Sequence, residues 1–365
     1  MPASPAGTLP IGTVSDSGDA AELTAARFNR HTFWCGQSGS GKTYALGVVL
    51  EQLLATTRLP MVIFDPNGDF VRLGEVRPDA AGTATGEALA RRDIRVLRPG
   101  ADSADPLRVR FTALSVATKA AMFRLDPLTD RSEYNSLLHI GDQLAVESER
   151  GILEQLQSSP DPVHHELAER IENLGILEWE LWARDMQSAA EIIETRPDAT
   201  VLDLGGFRYS DEPLVVALSV LEDLWNRREE RRPVLLVIDE ANNLCSPDLD
   251  SPLGRAVREQ LIRIAAEGRK YGLWLLLSTQ RPSKVHQGII SQCDNLALMK
   301  MSSPLDLAEL GSIFGFAPQS LVEQAPLFSQ GKALFAGGFI PAPTVVQMGA
   351  RVTFEGGKDV GVPLR

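Results

Sequence analysis

Short apolar runs alternate with amphipathic stretches along most of the chain. The runs are Thr32–Cys35, Met61–Phe64, Asp93–Leu97, Thr200–Leu204, Val234–Ile238, Leu273–Ser278 and Asn295–Met299. A continuous apolar run of strand length fits a parallel strand covered on both faces. Between the runs, apolar residues recur at helical spacing. Tyr44–Ala55, Glu212–Asn226 and Leu253–Gly268 read as helices, the second with Leu214, Leu218, Leu221 and Trp225 on one side. Pro304-Leu305-Asp306 starts a further helix. Lys332–Phe335 and Thr344–Gln347 are expected to close the sheet as edge strands. Strands alternating with helices predict a three-layer α/β core with a mainly parallel sheet.

Between 111 and 198 the pattern changes. Phe111–Phe123, Tyr134–Leu144, Ile152–Leu156 and Leu167–Trp182 all carry helical spacing, and acidic residues outnumber basic ones. This predicts a helical insertion dividing the core into 23–110 and 199–350. Residues 1–22, rich in Pro, Gly, Ala and Ser, are expected to be a mobile arm, and 351–365 a tail. No apolar run reaches the roughly 18 residues of a membrane span. The first residues lack a secretory signal pattern, so a cytoplasmic protein is expected. The net charge of −12 counts against a surface coated for nucleic acid, but not against a few cations lining a channel. Cys35, Cys245 and Cys293 have no metal spacing, and Cys35 and Cys293, in apolar surroundings, read as small buried side chains.

The candidate chemistry lies at the ends of the apolar runs. Gly36-Gln37-Ser38-Gly39-Ser40-Gly41-Lys42-Thr43 fits the phosphate-binding pattern G-x-x-x-x-G-K-S/T between a strand and a helix. Its backbone N–H groups would wrap a triphosphate. Lys42 would reach the β- and γ-phosphates, and the Thr43 hydroxyl would take Mg²⁺. Val234–Ile238 delivers Asp239 and Glu240 to a strand end. Asp239 is placed to hold Mg²⁺, and Glu240 to polarise an attacking water. Gln280, ending the next apolar run, could report on the γ-phosphate. Asp65 and Asp69 have two readings: turn formation around Pro66-Asn67-Gly68, or carboxylates facing the nucleotide crevice. His164-His165 reads as a solvated helix start, and Arg227, Arg228, Arg231 and Arg232 as cations at a helix C-terminus.

Taken together and in order, RHTFWCGQSGSGKT, VIFDPNGDF, VLDLGG, LLVIDEANN, AAEGRKYGLWLLLSTQRPSKV and SQCDNLALMKMSSPLD resemble the HerA–FtsK branch of P-loop ATPases, and HerA-like ATPases most closely. The resemblance implies a RecA-like core, ATP and Mg²⁺ as cofactors, and a hexameric ring that translocates on double-stranded DNA. A nuclease or other effector would be its partner in DNA repair or antiphage defence. It also implies roles for two arginines. Arg30 matches a position acting on a neighbour's nucleotide, and Arg269 one acting within its own subunit; a surface residue at a strand start is the other reading of Arg30. The chain departs from the family in two respects: a β-barrel before the core is not expected here, and the usual His after Asp-Glu-Ala is Asn242. Three rival readings remain: a nucleotide-dependent switch or scaffold, a soluble relative of conjugation coupling ATPases, and a small-molecule kinase.

Overall fold

The computed structural model describes residues 7–100, 103–140 and 149–357. Eleven strands form one sheet. They are β1 (Thr8–Val14), β2 (Ala20–Thr24), β3 (His31–Cys35), β4 (Met61–Asp65), β5 (Ile94–Leu97), β6 (Ala199–Asp203), β7 (Val234–Ile238), β8 (Leu273–Thr279), β9 (Cys293–Met299), β10 (Lys332–Gly337) and β11 (Thr344–Met348). Their spatial order is β2-β1-β11-β10-β9-β3-β8-β7-β4-β6-β5. From β9 across to β5 every pairing is parallel. From β9 out to β2 every pairing is antiparallel. The structure is therefore the expected α/β RecA-like core with a mostly parallel, mixed sheet.

Helices cover both faces. α1 (Lys42–Thr56) and α2 (Ala84–Leu89) lie on one side. The stretch expected as an insertion holds α3 (Val116–Met122), α4 (Arg131–Ile140), α5 (Glu149–Ser158), α6 (Pro162–Leu174) and α7 (Ala189–Glu194). The end of the stretch Tyr134–Leu144 falls outside the described residues. α8 (Glu212–Asn226), α9 (Asn242–Cys245), α10 (Pro252–Glu267), α11 (Gln287–Ile290), α12 (Pro304–Ile313) and α13 (Gln319–Val322) complete the set. Side chains alternate through the sheet. Phe33, Phe64, Leu236 and Leu277 join a core with α8 and α10, while Trp34, Ile63, Val237 and Leu276 join one with α1. With both faces dry, period-2 polarity has no place in these strands, and continuous apolar runs result.

Three expectations change. Most of residues 1–22, read as a mobile arm, instead belongs to the hairpin of β1 and β2, which spans 8–24. Leu9, Ile11, Ala21 and Leu23 are its buried face, and a bulge between Pro10 and Gly12 absorbs the residues that had suggested disorder. Because this hairpin pairs with β11, strands β10 and β11 are internal, and β2 and β5 are the edges. The start of the supposed tail is also packed. Arg351 and Thr353 are buried against α1, while 358–365 lie outside the described residues.

That packing rests on an ion pair inside the protein. Glu51 of α1 accepts hydrogen bonds from the Arg351 Nε, from the backbone of Val352 and Thr353, and from the Thr353 hydroxyl. Gly47 makes room for it, since a Cβ there would stand 2.6 Å from the Arg351 Nε. A second buried titratable group ties the sheet to α10. His31 donates from Nε2 to the Ala265 carbonyl at 3.0 Å and accepts at Nδ1 from the Leu275 N–H at 2.9 Å, so it must be neutral. Burial, and then the field of Arg269, push its pKa down to about 4.

Two outcomes follow. Glu51→Leu leaves Arg351 buried without its partner and should cost about 3–5 kcal/mol in urea unfolding, much of it recovered by adding Arg351→Met. A loss below about 1 kcal/mol would mean the 351–353 segment does not depend on this pair. For His31 the folded pKa lies below the ordinary 6.5, so its stabilisation is complete above pH 6.5 and fades as pH falls toward 4. Unfolding of the wild-type chain against His31→Gln should show an advantage that shrinks by up to about 3 kcal/mol over that window. An advantage independent of pH would contradict the neutral assignment.

Candidate nucleotide site

The loop from Gly36 to Gly41 joins the carboxyl end of β3 to α1. Gly41 caps the helix with φ 84°, a left-handed conformation that disfavours any side chain. No side chain caps α1, so the first-turn N–H groups and the positive end of the helix dipole face outward. Ser38 and Gly39 are exposed, and Thr43 is half-buried at the first turn. This is a ready site for an anion.

Lys42 is almost wholly buried and faces the ends of β7 and β8. Its Nζ donates to Asp239 Oδ1 at 3.0 Å and to the Ser278 Oγ at 2.8 Å, and lies 3.2 Å from Glu240 Oε1. Burial works against the ammonium, but the two carboxylates outweigh it and hold its pKa above the ordinary value. Ser278 in turn donates to Asp239 Oδ1 at 2.6 Å. Glu240 has φ 43°, an uncommon conformation for a side-chain-bearing residue and a strained one. Gln280 Nε2 donates to Glu240 Oε1 at 2.8 Å. The loop lysine, Asp239, Glu240 and Gln280 therefore converge. Asn242 accepts from the Thr279 hydroxyl at 2.9 Å, bracing the same two strand ends.

Both readings of Asp65 and Asp69 describe the geometry. Asp65 accepts from the backbone N–H groups of Asp69 and Phe70, which closes the turn. Its carboxylate also clusters with those of Asp69 and Asp239, with ligand atoms within 4.8 Å of one another. Burial, only partly offset by those two N–H groups, raises the Asp65 pKa to about 7. Asp239 Oδ2 is buried and has no hydrogen-bond partner. An orphaned carboxylate oxygen beside a phosphate-binding loop fits a divalent cation.

A cleft of about 750 Å³ runs over the loop. Its lining includes Asp69 and Gln280. The other walls include Gln330, Gln347, Met348 and Glu355, which sequence reasoning missed. Gln330 lies just before β10, Gln347 and Met348 end β11, and Glu355 follows it, and no local motif marks them. Ser278 was missed as well; its signal is a polar residue ending an apolar strand beside the Asp-Glu strand.

Arg30 and Arg269 lie elsewhere. Arg30 immediately precedes β3, whose far end carries the loop, so about 20 Å of strand separates them. Arg269 precedes β8 by a single turn, while Gln280 follows that strand. The two arginines thus sit together at the amino edge of the sheet, both paired with Asp294. This corrects the expectation that Arg269 acts on its own subunit's nucleotide, because parallel strands put it at the opposite edge. The cations Arg227 and Arg228 are engaged locally, Arg227 with Glu194 and Asp223 and Arg228 over the Trp225 ring.

The family model for the central domain of helicase HerA matches residues 9–173. A probable helicase of Methanocaldococcus jannaschii is 30% identical over 40% of this chain and 29% of its own length. The HerA double-strand break repair helicase of Sulfurisphaera tokodaii is 32% identical over 32% of this chain and 23% of its own. These matches thus span less than a third of either relative. The corresponding helicase of Saccharolobus solfataricus is 24% identical, over 94% of this chain and 68% of that protein. Among solved structures, the bacterial conjugative coupling protein TrwBdeltaN70 shares the fold, with a TM-score of 0.56 and 14% identity over 93% of this chain and 90% of that one. Motif order, sheet topology and relatives point the same way: the chain is similar to the HerA-like ATPases and shares the P-loop ATPase fold.

Proposed function

We propose that the chain hydrolyses ATP in a ring of identical subunits and uses the turnover to move along double-stranded DNA. The observation that carries the hydrolase reading is the placement of Glu240 Oε1, 3.2 Å from the Lys42 Nζ and 2.8 Å from the Gln280 Nε2. A base held between the phosphate-binding lysine and a polar strand end stands where an attacking water must be oriented.

In this reading the first-turn N–H groups of α1 and the Lys42 ammonium take the β- and γ-phosphates. Thr43 and Asp239 hold Mg²⁺, which when bound neutralises phosphate charge. Glu240 accepts a proton from water as its oxygen bonds to the γ-phosphorus. The bond from that phosphorus to the bridging oxygen breaks, and ADP leaves with phosphate. Gln280 keeps Glu240 aimed. Three N–H donors of Lys42 already serve Asp239, Ser278 and Glu240, so engaging the phosphates exchanges some of these contacts.

What the cleft lacks supports the ring reading. Among the described residues lining it, Lys42 is the sole cation. Charge on a transferring γ-phosphoryl group calls for a second. Arg30 and Arg269, at the opposite sheet edge, can supply it only to a neighbouring copy. The helicase names of the relatives favour DNA as the track, and the acidic helices between 111 and 198 are a candidate surface for a nuclease or other effector. Among the described residues no helix is long and apolar enough to cross a membrane.

ATP turnover with and without duplex DNA tests the hydrolase. Lys42→Ala should abolish nucleotide binding, whereas Glu240→Gln should bind normally and lose about 10²–10⁴ in kcat. Normal turnover by Glu240→Gln would remove it as the base. Assembly is tested by mixing Arg30→Ala chains with Glu240→Gln chains. Each alone should be inactive, and the mixture should regain activity, since one chain supplies the arginine to the other's intact cleft. A mixture as inactive as its components would argue against a shared site.

A further inference from the structure

The amino edge of the sheet carries a small construction that the hydrolase reading does not use. Arg30 Nε lies 3.7 Å, and Arg269 Nη1 2.6 Å, from the same atom, Asp294 Oδ2. Two guanidinium groups on one carboxylate oxygen are close neighbours, and without that oxygen they would repel. All three side chains are partly exposed, between 31% and 46%, so the group faces outward.

The backbones beneath are fixed independently. His31, next to Arg30, is bonded to the Ala265 carbonyl of α10 and to the Leu275 N–H of β8. Arg269 lies on the short turn between those two elements. Asp294 stands at the start of β9, whose Cys293 pairs with His31. A rigid frame therefore delivers three side chains from three strand starts to one point. Such a frame exceeds what a solvated surface ion pair requires.

We propose that Asp294 is a positioning residue that holds Arg30 and Arg269 as one two-pronged cation for the triphosphate of a neighbouring copy. This deepens the shared-site reading and rests on it. The pair offers a planar fork from each arginine, suited to two oxygens of a terminal phosphate. Asp294 offsets one of the two positive charges, so both can stand ready together before the anion arrives. Asp294 touches no reacting atom; its effect passes through the arginines.

The test is steady-state ATP turnover by the full chain, with melting temperature and assembly mass recorded for every variant. Asp294→Asn should lower kcat about 5- to 10-fold at low salt, with KM for ATP within about twofold of wild type. The deficit should narrow as salt screens the repulsion. Asp294→Glu should restore at least half of the lost kcat. In an Arg269→Gln chain, adding Asp294→Asn should cost less than about twofold more, because only one cation is left to hold. A merely structural role predicts a lower melting temperature and equal losses in both backgrounds, and that result would overturn the proposal. Wild-type turnover that Asp294→Asn leaves untouched overturns the brace alone. Absence of turnover by the wild-type chain overturns the hydrolase reading, and the brace with it.

Discussion

A lysine ammonium has three N–H donors, and those of Lys42 meet Asp239, Ser278 and Glu240 at the largely buried floor of the cleft. Two carboxylates brought this close repel one another, and a cation between them offsets that repulsion. The lysine therefore makes the acidic strand end possible, and the strand end holds the lysine ready for phosphate. Lys42 opens α1, Asp239 and Glu240 follow β7, and Ser278 lies in β8. One charge balance thus locks the helix to two neighbouring strands and fixes the loop between them.

Sheet polarity turns that lock into an argument about assembly. In parallel strands every carboxyl end falls on one edge and every amino end on the other. The loop, Asp239, Glu240 and Gln280 share the first edge; Arg30, Arg269 and Asp294 share the second. Side chains at opposite edges of one sheet cannot meet over one phosphate. A head-to-tail arrangement of identical subunits, as proposed, would bring them together, and such interfaces close into rings when the rotation allows.

The parallel half of this fold was legible because its strands are dry on both faces, and burial leaves an unbroken apolar run. The phosphate loop and Asp239-Glu240 were legible for the same reason, since each begins where a run stops. The hairpin β1–β2 was not. Its alternation of Leu9 and Ile11 on one strand and Ala21 and Leu23 on the other is interrupted by Pro10, Gly12 and a bulge, and its outer face is polar. Composition pointed to disorder where pairing with β11 supplies order. The partnership of Glu51 with Arg351 was illegible too, because a contact spanning 300 residues leaves no local period.

That long-range contact also bears on how the cleft is built. Arg351 lies between Met348 and Glu355, which both line the cleft, and its ion pair anchors the segment to the middle of α1. The backbone N–H of Arg351 donates to the Tyr44 hydroxyl, one helical turn from the loop. Farther on, the Gly356 N–H donates to the Asp69 carbonyl, on the turn that carries the acidic cluster. The segment is thus fastened to the phosphate-binding helix and to the turn beside Asp239. Any movement of α1 relative to that turn must strain or release it. A wall of the cleft tied to both sides of the site couples what fills the cleft to the spacing between the lysine and the carboxylates, which is the spacing on which the charge balance depends.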